Sequence, residues 1–355
     1  MSNIKEILKL YNLYKLDKYD KYISMFKEFD YSNIKYILPD HILSNYQIEY
    51  DNILSELSEI DVDEYRLIYD KIINIDENLY EASLDIPIYN IMLEQEKNET
   101  ILNNLKSFKG YAYKAKKIKY NFSSTVTGRL TIDNSICGNI LTLPKRCRKI
   151  FKSSWNYEGS LISVDFKSLE PRIVKKITSD EKYEDIYETI KDLSEINVDR
   201  SVIKRAVIST LYGSELNVDY LTKEKSDELI KICYDFFNID KVIDIANNSL
   251  LKNNKSRKNL FGRPINNLNE TKNHIIMNNY IQSSAVDVAL MYFYELINKV
   301  EKDKCKPLFI IHDAIIFDIK NDYIDCFKEI VDVGYNCEKL GYFPVELTDF
   351  INNKG

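Results

Sequence analysis

Glycine and proline are scarce in this chain, nine and seven among 355 residues. With abundant Ile, Lys, Asn and Tyr, that scarcity gives a helix-dominated reading. Histidine is nearly absent, with three residues, and the six cysteines (Cys137, Cys147, Cys233, Cys305, Cys326, Cys337) form no C-x-x-C pair. Zinc-ligand spacing is therefore excluded, and reduced thiols in a cytoplasm are expected. No apolar run approaches the roughly 20 residues of a membrane span. The N-terminus, Met1-Ser2-Asn3-Ile4-Lys5-Glu6-Ile7, carries charge inside its apolar pattern, as an amphipathic helix does and a secretory signal does not. No internal repeat or low-complexity linker marks a boundary. An excess of positive charge is missing as well: 49 Lys and Arg face 55 Asp and Glu, a net charge of −6. The cations are nevertheless clustered, at Lys106 to Lys119, Lys145 to Lys152 and Lys252 to Arg263, while acid dominates Asp51 to Glu81 and Glu181 to Glu195. That pattern reads as a basic channel in an acidic body. A hydrophobic content of 45% allows a substantial core, and the length suits two or three lobes.

Against this background three segments stand out. Ser163-Val164-Asp165-Phe166-Lys167-Ser168-Leu169-Glu170-Pro171-Arg172 and Phe309-Ile310-Ile311-His312-Asp313-Ala314-Ile315-Ile316-Phe317 each set one aspartate at the end of, or within, an apolar run of strand type. An unpaired charge there is costly unless a cation or ligand compensates it. Taken singly, each is most simply a strand end. Facing each other, two such carboxylates suit Mg²⁺, which takes oxygen ligands and leaves room for substrate phosphates. The third segment, Arg200 to Gly213, places Arg200, Lys204, Ile208 and Tyr212 on one slowly winding stripe of a helix, since residues four apart drift by only about 40°. Alone this is an ordinary amphipathic helix. Gly213 suits its end, where a left-handed C-cap favours glycine.

Together the three resemble the motifs of family A (Pol I-like) DNA polymerases. The family's first carboxylate motif is matched by Asp165, Glu170 and Arg172, its fingers-helix motif by Arg200, Lys204, Tyr212 and Gly213, and its hairpin motif by His312 and Asp313. Weaker matches fall in the family's order: Thr127-Gly128-Arg129-Leu130-Thr131, Asn139-Ile140-Leu141-Thr142-Leu143-Pro144, Leu260-Phe261-Gly262-Arg263, and Asn278 with Gln282-Ser283-Ser284-Ala285-Val286-Asp287. The resemblance covers Tyr120 to the C-terminus and is to a compact, phage- or mobile-element-like form.

The resemblance implies an α+β right-hand polymerase fold with an antiparallel palm sheet, helical fingers and a reduced or atypical helical thumb. The implied division is a helical, thumb-like region over 1–120, palm over 121–179, fingers over 180–265 and palm again over 266–355. The implied reaction is attack of a primer 3′-hydroxyl on the α-phosphate of a dNTP, with pyrophosphate leaving. Asp165, Asp313 and the backbone carbonyl of Phe166 would hold two Mg²⁺ ions, with Mn²⁺ able to substitute. Lys204 would meet the triphosphate and protonate pyrophosphate, and Arg200 would clamp the outer phosphates. Glu170 would exclude a 2′-hydroxyl, Tyr212 would stack at the nascent pair, and Ile208 and Tyr187 would complete the nucleotide site. Arg129, Asn278, Gln282 and His312 would contact primer-template DNA, partly through minor-groove acceptors common to every base pair. Lys114, Lys116 and Lys117 are the candidate duplex grip in place of a thumb.

Several positions depart from the family's pattern. Ala314 replaces a Glu that often follows the hairpin aspartate, Ile208 stands where an aromatic is usual, Tyr187 where His is, and His274 where Arg is. Asp287 reads equally as a structural and as a functional carboxylate. The region before Tyr120 is shorter than the roughly 150–200 residues of an exonuclease domain and shows no Asp-x-Glu on an apolar strand, so a separate exonuclease or processivity factor is an expected partner. A single-subunit RNA polymerase or primase-like enzyme, and a non-catalytic DNA-binding relative, are the alternatives. Glu170 argues against the first; Asp165, Lys204 and Asp313 together argue against the second.

The local pattern predicts short helices over 1–75, broken near Asp30-Tyr31-Ser32 and Pro39-Asp40, and a longer helical stretch over Glu81–Lys106. It then predicts a strand at Leu161–Phe166, helices near Val198–Leu211, Lys223–Phe237 and Asp240–Leu251, and a long helix from Lys272 to Lys302. A hairpin at Leu308–Ile319, an amphipathic helix at Asp322–Leu340 and a last strand at Tyr342–Leu347 complete the prediction.

Overall fold

The computed structural model describes residues 39–59, 63–251 and 256–351. The helix breaks expected near Asp30 and the N-terminal amphipathic segment lie outside these. Within them, the element that positions everything else is a four-stranded antiparallel sheet. Strands β1 (Gly159–Phe166), β2 (Cys305–Ile311), β3 (Ala314–Lys320) and β4 (Val345–Asp349) lie in the order β4-β1-β3-β2. Alternation of buried apolar residues drives it: Leu161 and Val164 on β1 meet Phe309, Ile315 and Phe317 of the hairpin in one core. The edge of β2 is covered. Tyr80 donates its backbone N–H to the Pro307 carbonyl at 2.8 Å, and the Tyr120 hydroxyl donates to the Ile310 carbonyl and accepts from the Ile310 N–H, both at 2.8 Å.

Helices pack in two groups. Numbered along the chain, α1 (Asp40–Glu59), α2 (Asp63–Asn78), α3 (Ile86–Gln95) and α4 (Glu99–Phe108) precede the sheet. Between β1 and β2 come α5 (Leu169–Thr178), α6 (Ile186–Ser194), α7 (Arg200–Tyr212), α8 (Lys223–Phe237), α9 (Ile239–Asn248) and α10 (Asn273–Lys299), and α11 (Ile324–Asp332) follows the hairpin. Helices α6 to α8 form a separate core around Ile190, Val207, Leu229 and Phe237. The 27-residue α10 joins both cores, with Met277 and Ile281 in the helical one and Val288, Phe293 and Leu296 in the sheet core. It is buried nearly all round, which accounts for its apolar character.

Two predicted helices are corrected. The stretch over Glu81–Lys106 is broken into α3 and α4, because Asn98 caps α4 by accepting from the N–H groups of Thr100 and Ile101 at 3.0 and 3.2 Å. The helix over Asp322–Leu340 stops at Asp332, where Gly334 at φ +68° turns the chain into a ribbon pairing Tyr335–Cys337 with Gly341–Phe343. Helix α8 has the bounds expected, and α7, α9 and α10 lie within three residues of theirs. All six cysteines are free thiols, five of them buried. Among the described residues no helix is long and apolar enough to cross a membrane.

A buried polar knot ties the sheet core to the N-terminal helices. Arg263 and Asp287 are 1% and 0% exposed and paired at 2.7 Å. Asp287 also accepts from the Tyr65 hydroxyl on α2 and from Asn259, each at 2.7 Å, and Arg263 donates to the Phe122 carbonyl at 3.2 Å. Gly128, at φ +76°, packs against this arginine so closely that a Cβ there would lie 2.2 Å from Nη1. Asp287 is thus a structural carboxylate.

Candidate active site

Antiparallel pairing of β1 with β3 sets Asp165 opposite Ala314, so Asp165 and Asp313 are brought to the same end of the sheet. Each aspartate sits beside a residue in an uncommon backbone conformation: His312 takes φ +56° in the two-residue hairpin turn, and Ser168 takes φ +58° where β1 turns into α5. Left-handed non-glycine residues cost energy and concentrate at functional sites. Above the aspartates opens a cleft of about 890 Å³. Its far wall is α7. Along that helix Val202, Ile203, Ala206, Val207, Ser209, Thr210 and Leu211 are buried, while Arg200, Lys204 and Ile208 are exposed and Tyr212 is half-buried. The stripe read from the sequence is therefore the face left open to the cleft. Gly213 ends α7 at φ +65°, and a Cβ there would meet His274 at 2.8 Å.

The electrostatics of the floor are unfavourable for bare carboxylates. Burial, reinforced by the charges of Asp313 and then Glu346, pushes the Asp165 carboxyl up to about 7. Asp313 is raised too, by burial, against the pull of His312, Arg129 and Lys204. Asp165 Oδ1 is buried with no hydrogen-bond partner, the only carboxylate oxygen so placed among the described residues. An orphaned carboxylate oxygen at a solvent-accessible cleft is a position that a cation or a ligand donor would suit. Among the described residues no three Asp, Glu, His or Cys side chains converge as a ready-made cage. The donor set instead fits a hard dication held by two carboxylates with ligand oxygens completing its shell.

On the near side, Glu170 lies in the first turn of α5 and is held from two directions. Arg129 Nη2 is 2.9 Å from Glu170 Oε1, and the Tyr212 hydroxyl is 3.2 Å from Oε2 and 3.2 Å from Arg129 Nη2. Burial raises the Glu170 pKa while Arg129 and Tyr212 pull it back. Gln282 lines the cleft from α10 and donates to Asn278 Oδ1 at 2.8 Å. Arg172 is buried at the edge of the cleft. It donates to the carbonyls of Lys167, Tyr183 and Glu184 at 2.9, 2.8 and 2.6 Å, fixing the segment that enters α6.

The family model for DNA polymerase family A matches residues 70–347. The chain belongs to this family. The solved POL domain of Pol1 from M. smegmatis, in complex with DNA primer-template and dNTP, has a similar fold, with a TM-score of 0.57 at 16% identity over 71% of this chain and 51% of that one. The chain thus matches about half the length of that protein. No curated protein matches it.

Of the site residues expected from the family resemblance, Arg129, Asp165, Phe166, Glu170, Tyr187, Arg200, Lys204, Ile208, Tyr212, Gln282, His312 and Asp313 all line the one cleft. Asn278 stands a helical turn from Gln282, outside the lining. Lys114, Lys116 and Lys117 do not line it either. They border a second cavity of about 760 Å³ with Tyr111 and Tyr113, where Lys114 pairs with Glu81 at 3.3 Å and Lys117 donates to the Glu77 carbonyl at 3.4 Å. Beyond them the chain reaches β2 at Tyr120, whose hydroxyl pairs with the Ile310 backbone. Sequence reasoning missed Glu346. It is the cross-strand partner of Asp165 on β4 and lines the cleft, and only strand register, which no local pattern carries, could have found it.

Proposed function

We propose that the chain is a template-directed DNA polymerase that adds dNTPs to a primer 3′-hydroxyl. The observation that carries this reading is the meeting of Asp165 and Asp313 on the cleft floor with the Arg200-Lys204-Ile208-Tyr212 face on its wall. Asp165, Asp313 and the Phe166 carbonyl would hold Mg²⁺, which when bound supplies charge neutralisation at the reacting phosphate. The remaining work belongs to the side chains. Lys204 meets the triphosphate from one turn inside α7 and is placed to give a proton to departing pyrophosphate, while Arg200 engages the outer phosphates. Arg129 and Gln282 line the same cleft and would meet the primer terminus and templating pair. A primer-extension assay on a primed single strand, with Mg²⁺ and either dNTPs or rNTPs, tests the reading; no product with either set refutes it.

Glu170 is proposed as the sugar gate. Its carboxylate is fixed by Arg129 and Tyr212, so it presents a rigid wall and not a mobile side chain. Glu170→Ala should raise rNTP use relative to dNTP roughly tenfold or more, the scale of about 1–3 kcal/mol by which a site separates substrates differing in one small group. Unchanged discrimination in competitive incorporation would assign the gate to another residue.

Lys114, Lys116 and Lys117 are proposed to hold the phosphates of duplex that has left the cleft. Neutralising all three should flatten log affinity against log salt by up to about 0.9 per lost contact, and should shorten products while sparing single-nucleotide addition at saturating DNA. An unaltered salt slope would exclude them as the grip. With so few cations along this path, a separate processivity factor fits the proposal.

A further inference from the structure

Arg200, the outermost cation of the exposed stripe, is already occupied. Its Nη2 lies 2.8 Å from Asp185 Oδ2 and its Nη1 lies 3.1 Å from Glu188 Oε1. Its guanidinium carbon stands 5.0 Å from the centre of the Tyr187 ring. Both ends of the fork thus rest on carboxylates and its plane lies against an aromatic, the arrangement in which an arginine would grasp a phosphate. Lys204, one turn along α7, makes no such ion pair among the described residues.

The two carboxylates differ in what else they do. Asp185 caps α6, accepting from the N–H groups of Tyr187 and Glu188 at 2.9 and 3.2 Å, so its position serves the helix. Glu188 caps no helix; among the described residues its second oxygen reaches only Lys191, at 3.8 Å. The start of α6 is in turn held by Arg172 through the carbonyls of Tyr183 and Glu184. The acidic pair is therefore presented to Arg200 from a fixed support, and Asp185 and Tyr187 stand in the wall of the cleft.

We propose that Glu188, backed by Asp185, acts as an internal stand-in for phosphate on Arg200, one that the outer phosphates of an incoming nucleotide must displace, and that it thereby sets the KM for dNTP. The proposal rests on the reading of Arg200 as a triphosphate ligand. Arg200, Asp185 and Glu188 are each about half exposed at the side chain (48%, 40% and 47%), so each pair is weak. Exposed pairs contribute about 0.2–1 kcal/mol, so losing one should change affinity by up to about fivefold, and by about two- to fivefold for a pair in the upper part of that range.

Single-nucleotide incorporation with full-length protein and saturating primer-template tests this. Glu188→Gln is expected to lower KM for dNTP about two- to fivefold, with the effect confined to KM. Its KM should also climb more steeply with added salt. In the wild type, nucleotide binding exchanges one ion pair for another, whereas in the variant the pair forms from a freer guanidinium. Arg200→Ala should raise KM, and adding Glu188→Gln to it should bring no further change, because the two act through one contact. If Arg200→Ala raises KM but Glu188→Gln leaves it unchanged or higher, the stand-in is refuted and the role of Arg200 survives. If Arg200→Ala leaves KM unchanged, both fall.

Discussion

Replacing Asp165 or Asp313 by alanine is expected to lower the rate of primer extension by roughly a thousandfold or more, while primer-template affinity stays within a few-fold. Lewis-acid stabilisation at a transferring phosphoryl group is worth several kcal/mol, and each 1.4 kcal/mol is about a factor of ten in rate. The aspartates would hold metal and make no contact of their own with DNA phosphates, which Lys and Arg side chains meet, so binding should persist. Rapid-quench measurement of a single turnover, beside a DNA titration by fluorescence anisotropy, separates the two effects. Near-normal extension by either variant would remove the cation site from the reading.

The same aspartates make the metal-free protein less stable as pH rises. Asp165 is pushed up to about 7 in the fold, against about 3.9 in an unfolded chain. Between those values the unfolded chain has released its proton while the fold retains it, so stability falls from about pH 4 to 7 and levels off above. A divalent cation binds the ionised form and reverses the loss. Thermal stabilisation by Mg²⁺ should therefore be larger at pH 8 than at pH 6. Asp165→Asn, neutral at every pH, should unfold at a higher temperature than wild type at pH 8 without metal, yet be inactive. A wild-type stabilisation by Mg²⁺ that does not depend on pH would show that this carboxyl is not the group titrating.

What was legible in the sequence was whatever is local. The α7 face could be read because residues four apart stay together on a helix and because its buried positions are uniformly apolar or small. The bounds of α8 could be read because Thr222 caps it, accepting from Lys225 N–H at 3.4 Å, and an apolar stripe follows. The break between α3 and α4 also had a local signal in Asn98-Glu99, outweighed by the apolar pattern on either side; Gly334 was the equivalent signal in the overextended helix. Glu346 beside Asp165, Glu188 on Arg200 and the pairing of Arg263 with Asp287 had none. Strand register set the first, the packing of α6 on α7 the second, and the approach of a loop to a long helix the third. Motif order placed Arg129 and Tyr212 in one site, but not the contacts by which both hold Glu170.

Asp287→Ala is expected to cost about 3–5 kcal/mol of stability, the range for removing one partner of a buried ion pair. The loss goes beyond one contact. Arg263 would be left fully buried and charged, and the Tyr65 hydroxyl and the Asn259 amide would each lose an acceptor at 2.7 Å. Burial opposes the arginine's charge, and the Asp287 carboxylate offsets that cost. Tyr65→Phe should cost less, about 1.5–3 kcal/mol for one hydrogen bond to a charged group. Replacing both ions with apolar residues, Arg263→Met with Asp287→Leu, should cost less than the sum of the single changes, because neither charge is then stranded. The knot joins α2, the Gly128 turn and α10, so Asp287→Ala should also release Arg129 from its place beside Glu170 before the sheet itself unfolds. Thermal and denaturant unfolding give the energies, and ribonucleotide discrimination measured below the melting range reads the release. A double variant that costs the full sum, or an Asp287→Ala protein as stable as wild type, would show that the buried pair does not hold these segments together.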